Sequence, residues 1–274
     1  MLKQPRCELL GVTTVTGEPV VRAQLVSAVC AAFGRPEVPV HSGAADPLLI
    51  DQQQTKVAQA KVLEHRPHQS GFTENTAVDF LRQTIRDRPG QITLLSIGPL
   101  TNIALLYALD PEIPRLLKRH VMMAGLYLGR QPDYGLREWN ARLDPHATAI
   151  VFAKGPAETR CVGLDVTMQC RILAEGFREH FRDGPLRIVR DMAETWFANR
   201  PEVVFHDPLA AACVFQPDLL RWVKGQVDVE LQSDSLQGLT AFSTNTHRKI
   251  HQVAAEVDAP AFLKHYFEIV NESR

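Results

Sequence analysis

Residues 91–109 read QITLLSIGPLTNIALLYAL, and how they fold decides the architecture. The first part, QITLLSIG (91–98), is a short apolar run of strand length that ends in glycine. It runs straight into PLTNIALLYAL, whose composition and length predict a helix. An apolar run without strict polar alternation is what a parallel strand covered on both faces looks like. Strand, tight turn and helix in immediate succession are the repeating unit of an α/β fold.

The same device recurs along the chain. RHVMMAG (119–125), TRCVGLDV (159–166) and PEVVFHD (201–207) are apolar runs that end in glycine or polar residues. Near the start, CELLGVTTVTG (7–17) is β-rich, and Val21, Leu25, Val29 and Ala32 then recur at helical spacing until Gly34 and Pro36. In TENTAVDFLRQTIRDRPG (73–90), Val78, Leu81 and Ile85 share one helical face, with Pro89-Gly90 as the stop. The expectation is an open, mainly parallel sheet with helices on both faces, a Rossmann-like core. No internal repeat, low-complexity tract or linker divides the chain, so residues 1–274 are expected to form a single domain. Residues 46–72 fit no element well and read as a loop with a broken helix; 46–72 and 216–240 are the candidate loops beside a ligand.

The totals exclude several classes. Lys plus Arg (30) nearly cancels Asp plus Glu (31), so no basic surplus draws nucleic acid. No apolar run reaches the length of a membrane span, and no signal peptide opens the chain. Cys7, Cys30, Cys161, Cys170 and Cys213 form no CxxC pair, and all but Cys170 lie among apolar neighbours. That pattern suits reduced core thiols and a cytoplasmic location.

Polar residues collect where the apolar runs end. They are Gly98, Thr101 and Asn102; then Glu138, Asn140 and Asp144; then Asp165 and Thr167; and finally His206 and Asp207. Each has an ordinary structural use. Thr101 and Asn102 suit helix capping, and Asp144-Pro145 reads as a helix start. Asp165 fits a cap after its strand, and Asp207-Pro208 fits an N-cap followed by proline at the first helical position. Open α/β sheets, however, bind ligands outside the carboxyl ends of their strands. Oxygen-rich groups converging there suit a hard cation or a polyhydroxylated ligand.

LLGVTTVTG, GPLTNIALL, EWNARLDPHATAIVF, VGLDVT and HDPLAAACVFQPDLL, in that order, resemble the inosine–uridine-preferring nucleoside hydrolases. The closing VAAEVDAPAFLKHYFEIV resembles that family's last strand and helix. The resemblance implies hydrolysis of the N-glycosidic bond of ribonucleosides to free base and ribose, with bound calcium, in a homodimer or homotetramer. By the same resemblance Asp207 and the main-chain carbonyl of Thr101 are metal ligands. Glu138, Asn140 and Asp207 contact ribose, and His206 is the general acid for the leaving base. The chemistry is consistent: carboxylate and amide oxygens stabilise an oxocarbenium-like ribosyl group, and an imidazole protonates a poor leaving group.

The sequence also departs from the family. The family's first strand leads into Asp-x-Asp-x-Gly-x-Asp-Asp, which supplies two calcium ligands, the water-activating base and a ribose contact. No DxDxxxDD occurs in these 274 residues. In the family, MLKQPRCELLGVTT would follow that cluster, so the expectation is a member whose first strand is missing. Its calcium is then weakly held or absent, and the edge beside ELLGVTTV is open. Glu18 stands where the family often has Asn, RQPDYGL (130–136) replaces a Gly-Asn, and Met168 replaces a frequent histidine. An alternative follows: a non-catalytic relative acting as a weak sugar-binding or interaction module.

Overall fold

The computed structural model describes residues 1–129, 135–245 and 249–272. In chain order the first elements are β1 (Val12–Thr14), α1 (Pro19–Ala32), β2 (Val40–Ser42), α2 (Ala77–Asp87), β3 (Thr93–Ser96), α3 (Thr101–Leu109) and α4 (Ile113–Leu116). Then come β4 (Arg119–Met123), α5 (Trp139–Leu143), α6 (Pro145–Lys154), β5 (Thr159–Val162), α7 (Leu164–Thr167), β6 (Arg171–Leu173), α8 (Ala174–His180) and α9 (Arg187–Phe197). The last are β7 (Glu202–Val204), α10 (His206–Phe215), β8 (Leu220–Val229), β9 (Thr240–Ser243), β10 (His251–Val257) and α11 (Ala259–Asn271).

The main sheet has the order β3-β4-β5-β10-β8-β9. β3, β4, β5 and β10 run parallel, while β8 and β9 join antiparallel at one side. The sheet is buried on both faces, which explains the unbroken apolar runs. In β4, Met122 points into the core beneath α2, α3 and α6, with Ile85, Leu106, Tyr107 and Val151. Val121 and Met123 point the other way, into a second core with Phe177, Leu209 and Phe262 from α8, α10 and α11. The run QITLLSIGPLTNIALLYAL thus becomes β3 and α3, as its pattern predicts.

Four expectations need correction. The run at 201–205 is not a parallel strand of the main sheet. β7 pairs antiparallel with β6 in a sheet of their own, so its apolar residues reflect packing on the second core rather than two-sided coverage. Of CELLGVTTVTG only Val12–Thr14 is strand, paired parallel with β2 alone. Residues 216–240 are not a loop: they hold the longest strand, β8. Cys170 is buried, whereas Cys7 is half-buried; all five cysteines are free thiols. The broken helix expected within 46–72 is present as a 3-10 segment, Ala58–His65. No described helix is long and apolar enough to cross a membrane.

Candidate active site at the carboxyl ends of the strands

The carboxyl end of β4 organises the site. Beyond Met123 the chain turns through Gly125, whose φ of 84° lies in the region open to glycine. A Cβ there would also meet the Tyr127 ring at 2.5 Å. The turn aims the Gly125 N–H at Oε2 of Glu138, 3.0 Å away. Glu138 is also the N-cap of α5: Oε1 accepts from Asn140 N at 2.8 Å and Oε2 from Ala141 N at 2.9 Å. Three donors therefore hold a carboxylate that is only 3% exposed. Burial raises its pKa, and those backbone N–H groups counter the rise. Since a carboxylate offers about four lone-pair sites, it keeps room for a ligand hydroxyl.

Asn140 is buried beside it and donates Nδ2 to the Met123 carbonyl at 2.9 Å. That bond fixes the amide plane, so its Oδ1 can accept from a ligand. Thr101 is buried at the start of α3, and its hydroxyl donates to Asp144 Oδ2 at 2.7 Å. Asp144 also caps α6 through Ala147 N and holds the Leu48 N–H at 2.9 Å. The side chains of Thr101 and Asp144 are therefore structural, and only the Thr101 main chain is left for the metal-binding role.

Asp207 behaves differently. The N-cap of α10 is Phe205, with no side-chain cap bond, so Asp207 is not the capping residue its Pro208 neighbour suggests. It lies half-buried in the first turn, where the helix dipole should lower its pKa. Instead, loss of water and then the charge of Glu138 push it up to about 7. Two carboxyl groups, one fixed by backbone donors and one not, thus share a poorly hydrated space. His206 is held from behind: its Nδ1 is 2.8 Å from Thr167 Oγ1. Phe205 N–H also donates to the Cys170 carbonyl at 2.7 Å, so α10 starts against the segment after β5. Burial lowers the His206 pKa to about 4, leaving the ring neutral near pH 7.

The neighbouring polar residues sort into supports. Asp165 does not cap α7, whose N-cap is Gly163; its two oxygens accept from Tyr127 N and Leu128 N at 2.8 Å. Asn102 accepts from Ala44 N and donates Nδ2 to the Thr14 carbonyl, each at 2.9 Å, fastening the ends of β1 and β2 to α3. Glu18 accepts from Val57 N at 3.2 Å, and Met168 is buried in the second core. Residues 130–134 of RQPDYGL lie outside the described residues. Two partners were not foreseen: Thr167 behind His206, and Gly125 against Glu138. The first stood among the polar residues after an apolar run, while the second was visible only as the glycine ending RHVMMAG.

Among the described residues the assigned donor set is smaller than a calcium ion takes. Calcium takes six to eight oxygens, and the assigned donors here are one carboxylate and one carbonyl. Among the described residues, no group of three or more His, Cys, Asp or Glu could hold a metal ion. What the arrangement can do is bind hydroxyls through Glu138, Asn140 and Asp207 and offer an imidazole N–H beside them.

Comparison with known proteins places these features. The family model described as "Inosine-uridine preferring nucleoside hydrolase" matches residues 1–264. Uridine nucleosidase 1 of Arabidopsis thaliana is 30% identical over 244 residues, covering 83% of this chain and 72% of that protein. The pyrimidine-specific ribonucleoside hydrolase RihA of Citrobacter koseri is 31% identical, covering 87% and 81%. Among solved structures, a plant nucleoside hydrolase superposes with a TM-score of 0.86 at 21% identity, over 99% of this chain and 93% of that one.

Proposed function

The chain belongs to the inosine-uridine preferring nucleoside hydrolase family, and from that premise we propose that it hydrolyses the N-glycosidic bond of ribonucleosides to free base and ribose. The observation that carries the reading is the pairing of buried Glu138 with uncapped Asp207, beside His206, at the carboxyl edge of the sheet. A ribosyl group losing its base becomes positively charged at the anomeric carbon, and the Glu138 carboxylate stabilises that charge, joined by Asp207 once it is deprotonated above pH about 7. Glu138 and Asn140 orient the ribose hydroxyls, since both are locked by bonds to the β4 turn. Asp207, not committed to a cap, contacts the same ribose.

His206 protonates the departing base. Its ring is neutral before reaction, with one nitrogen engaged by Thr167 and the other left to face the ligand. As negative charge grows on the base it raises the imidazole's proton affinity, so the ring takes up a proton from solvent and passes it to the base nitrogen as the C–N bond breaks. The relatives named for uridine and pyrimidine ribonucleosides favour uridine as the first substrate to test. A cytoplasmic location fits five free thiols, and a homodimer or homotetramer fits the unpaired side of β1.

The second reading, a non-catalytic sugar-binding relative, draws support from the assigned donors, one carboxylate and one carbonyl, which fall short of the six to eight oxygens of a calcium site. A panel of ribonucleosides incubated with the chain, with bases resolved chromatographically, separates the two. Release of uracil from uridine is expected. Binding of ribose without release of any base would favour the second reading.

A further inference from the structure

At the opposite, amino-terminal edge of the sheet, two arginines project from one face. Arg119 opens β4 two residues before Val121, and Val121 pairs with Arg160 of β5. Alternate residues share a face of a strand, and in-register partners do too, so both side chains point toward α10. Along the strand they are offset by roughly 7 Å, one pleat period. The electrostatics agree, because both guanidinium charges act on Cys213 of α10.

The buried Nε of Arg119, and the buried Nε and Nη1 of Arg160, have no hydrogen-bond partner among the described residues. Arg160 lies over the Trp222 ring, 5.3 Å from its centroid, which fixes the plane of its fork. Glu158 and Asp218 are near enough to favour its charge, but burial and the neighbouring Arg119 outweigh them and lower its pKa. Glu158 instead accepts from Gln252 Nε2 at 3.3 Å. Two cations side by side, with buried N–H groups that no oxygen among the described residues takes, form an arrangement that an oxyanion would complete.

We propose that Arg119 and Arg160 form a binding site for a phosphate group, at the edge of the sheet remote from the nucleoside site. Guanidinium forks match the oxygens of a tetrahedral dianion, and the rigid strands hold the two forks at fixed separation. The phosphate is either free or the end of a monoester.

Calorimetric titration of the full chain with inorganic phosphate, and separately with ribose 5-phosphate, at constant ionic strength tests this. One site is expected for at least one of them. Arg119→Gln and Arg160→Gln should each weaken it about tenfold or more, as loss of a charge-assisted contact implies. Arg171→Gln, at an exposed ion pair with Glu202, should leave it unchanged. Tighter binding of the monoester identifies that source, and equal or tighter binding of inorganic phosphate identifies the free anion. If a glutamine variant does not fold, Arg160→Lys keeps the charge, loses the fork and should still weaken binding. No binding of either phosphate, or binding that survives in the arginine variants, would overturn the proposal.

Discussion

Buried titratable residues give this chain a definite acid response. His120 is fully buried, with Nε2 2.8 Å from Ser96 Oγ and Nδ1 3.3 Å from the Tyr107 hydroxyl. Burial first, and the charge of Lys249 second, lower its pKa to about 3. The folded state therefore refuses a proton that the unfolded chain accepts below about 6.5. Stability is complete above that value and falls as the pH drops toward 3, by about 1.4 kcal/mol per unit for one such group. His206 acts in the same direction. Urea unfolding at pH 7, 5.5 and 4.5 should show this decline, with a shallower slope in His120→Gln. A flat profile would mean that the imidazole is hydrated in solution. None of this was legible in the sequence, because RHVMMAG gives no sign of which strand face His120 takes or that Ser96 lies beside it.

At the scale of elements, legibility followed burial. Strands covered on both faces, β3, β4 and β5, announced themselves as apolar runs; β7 did so as well, and misled. Val203 and Val204 are apolar because they pack on the second core, while β7 pairs only with β6. An apolar run records burial and is silent about the partner strand. Likewise β8 carries Arg221, Lys224, Gln226 and Asp228 along its length, and so resembled a loop. The candidate site residues were legible as strand-end polar residues, but which of them serve as helix caps was not. Asp144 caps and Asp207 does not, although both precede proline.

Asn102 illustrates what an element junction contributes. It joins the ends of β1 and β2 to α3 through one buried and one part-buried hydrogen bond. Asn102→Ala would leave the Thr14 carbonyl and the Ala44 N–H without it, at a cost on the order of 2–4 kcal/mol. Equilibrium urea unfolding measures that loss. A change below about 0.5 kcal/mol, the range of an ordinary surface substitution, would mean that the junction does not depend on Asn102.

Across the whole molecule, the sheet is two-sided and closed off by β8 and β9 at one side, while β1 and β2 stand apart from β3. Among the described residues β1 is paired only with β2. A strand edge without a partner strand favours association. Light scattering at increasing concentration should report a dimer or tetramer. A monomer persisting at high concentration would count against it.

The central claim is that His206 and Asp207 act on a ribonucleoside rather than merely begin a helix. The direct measurement compares His206→Ala with Asp207→Ala on uridine and on p-nitrophenyl riboside, whose leaving group needs no proton. Loss of His206 should reduce uridine cleavage by roughly 10²- to 10⁴-fold, the range for general acid catalysis, and nearly spare the nitrophenyl substrate. Loss of Asp207 should depress both, because ribose orientation and charge stabilisation fail together. Equal losses on both substrates from His206→Ala, with Asp207→Ala fully active, would contradict the account.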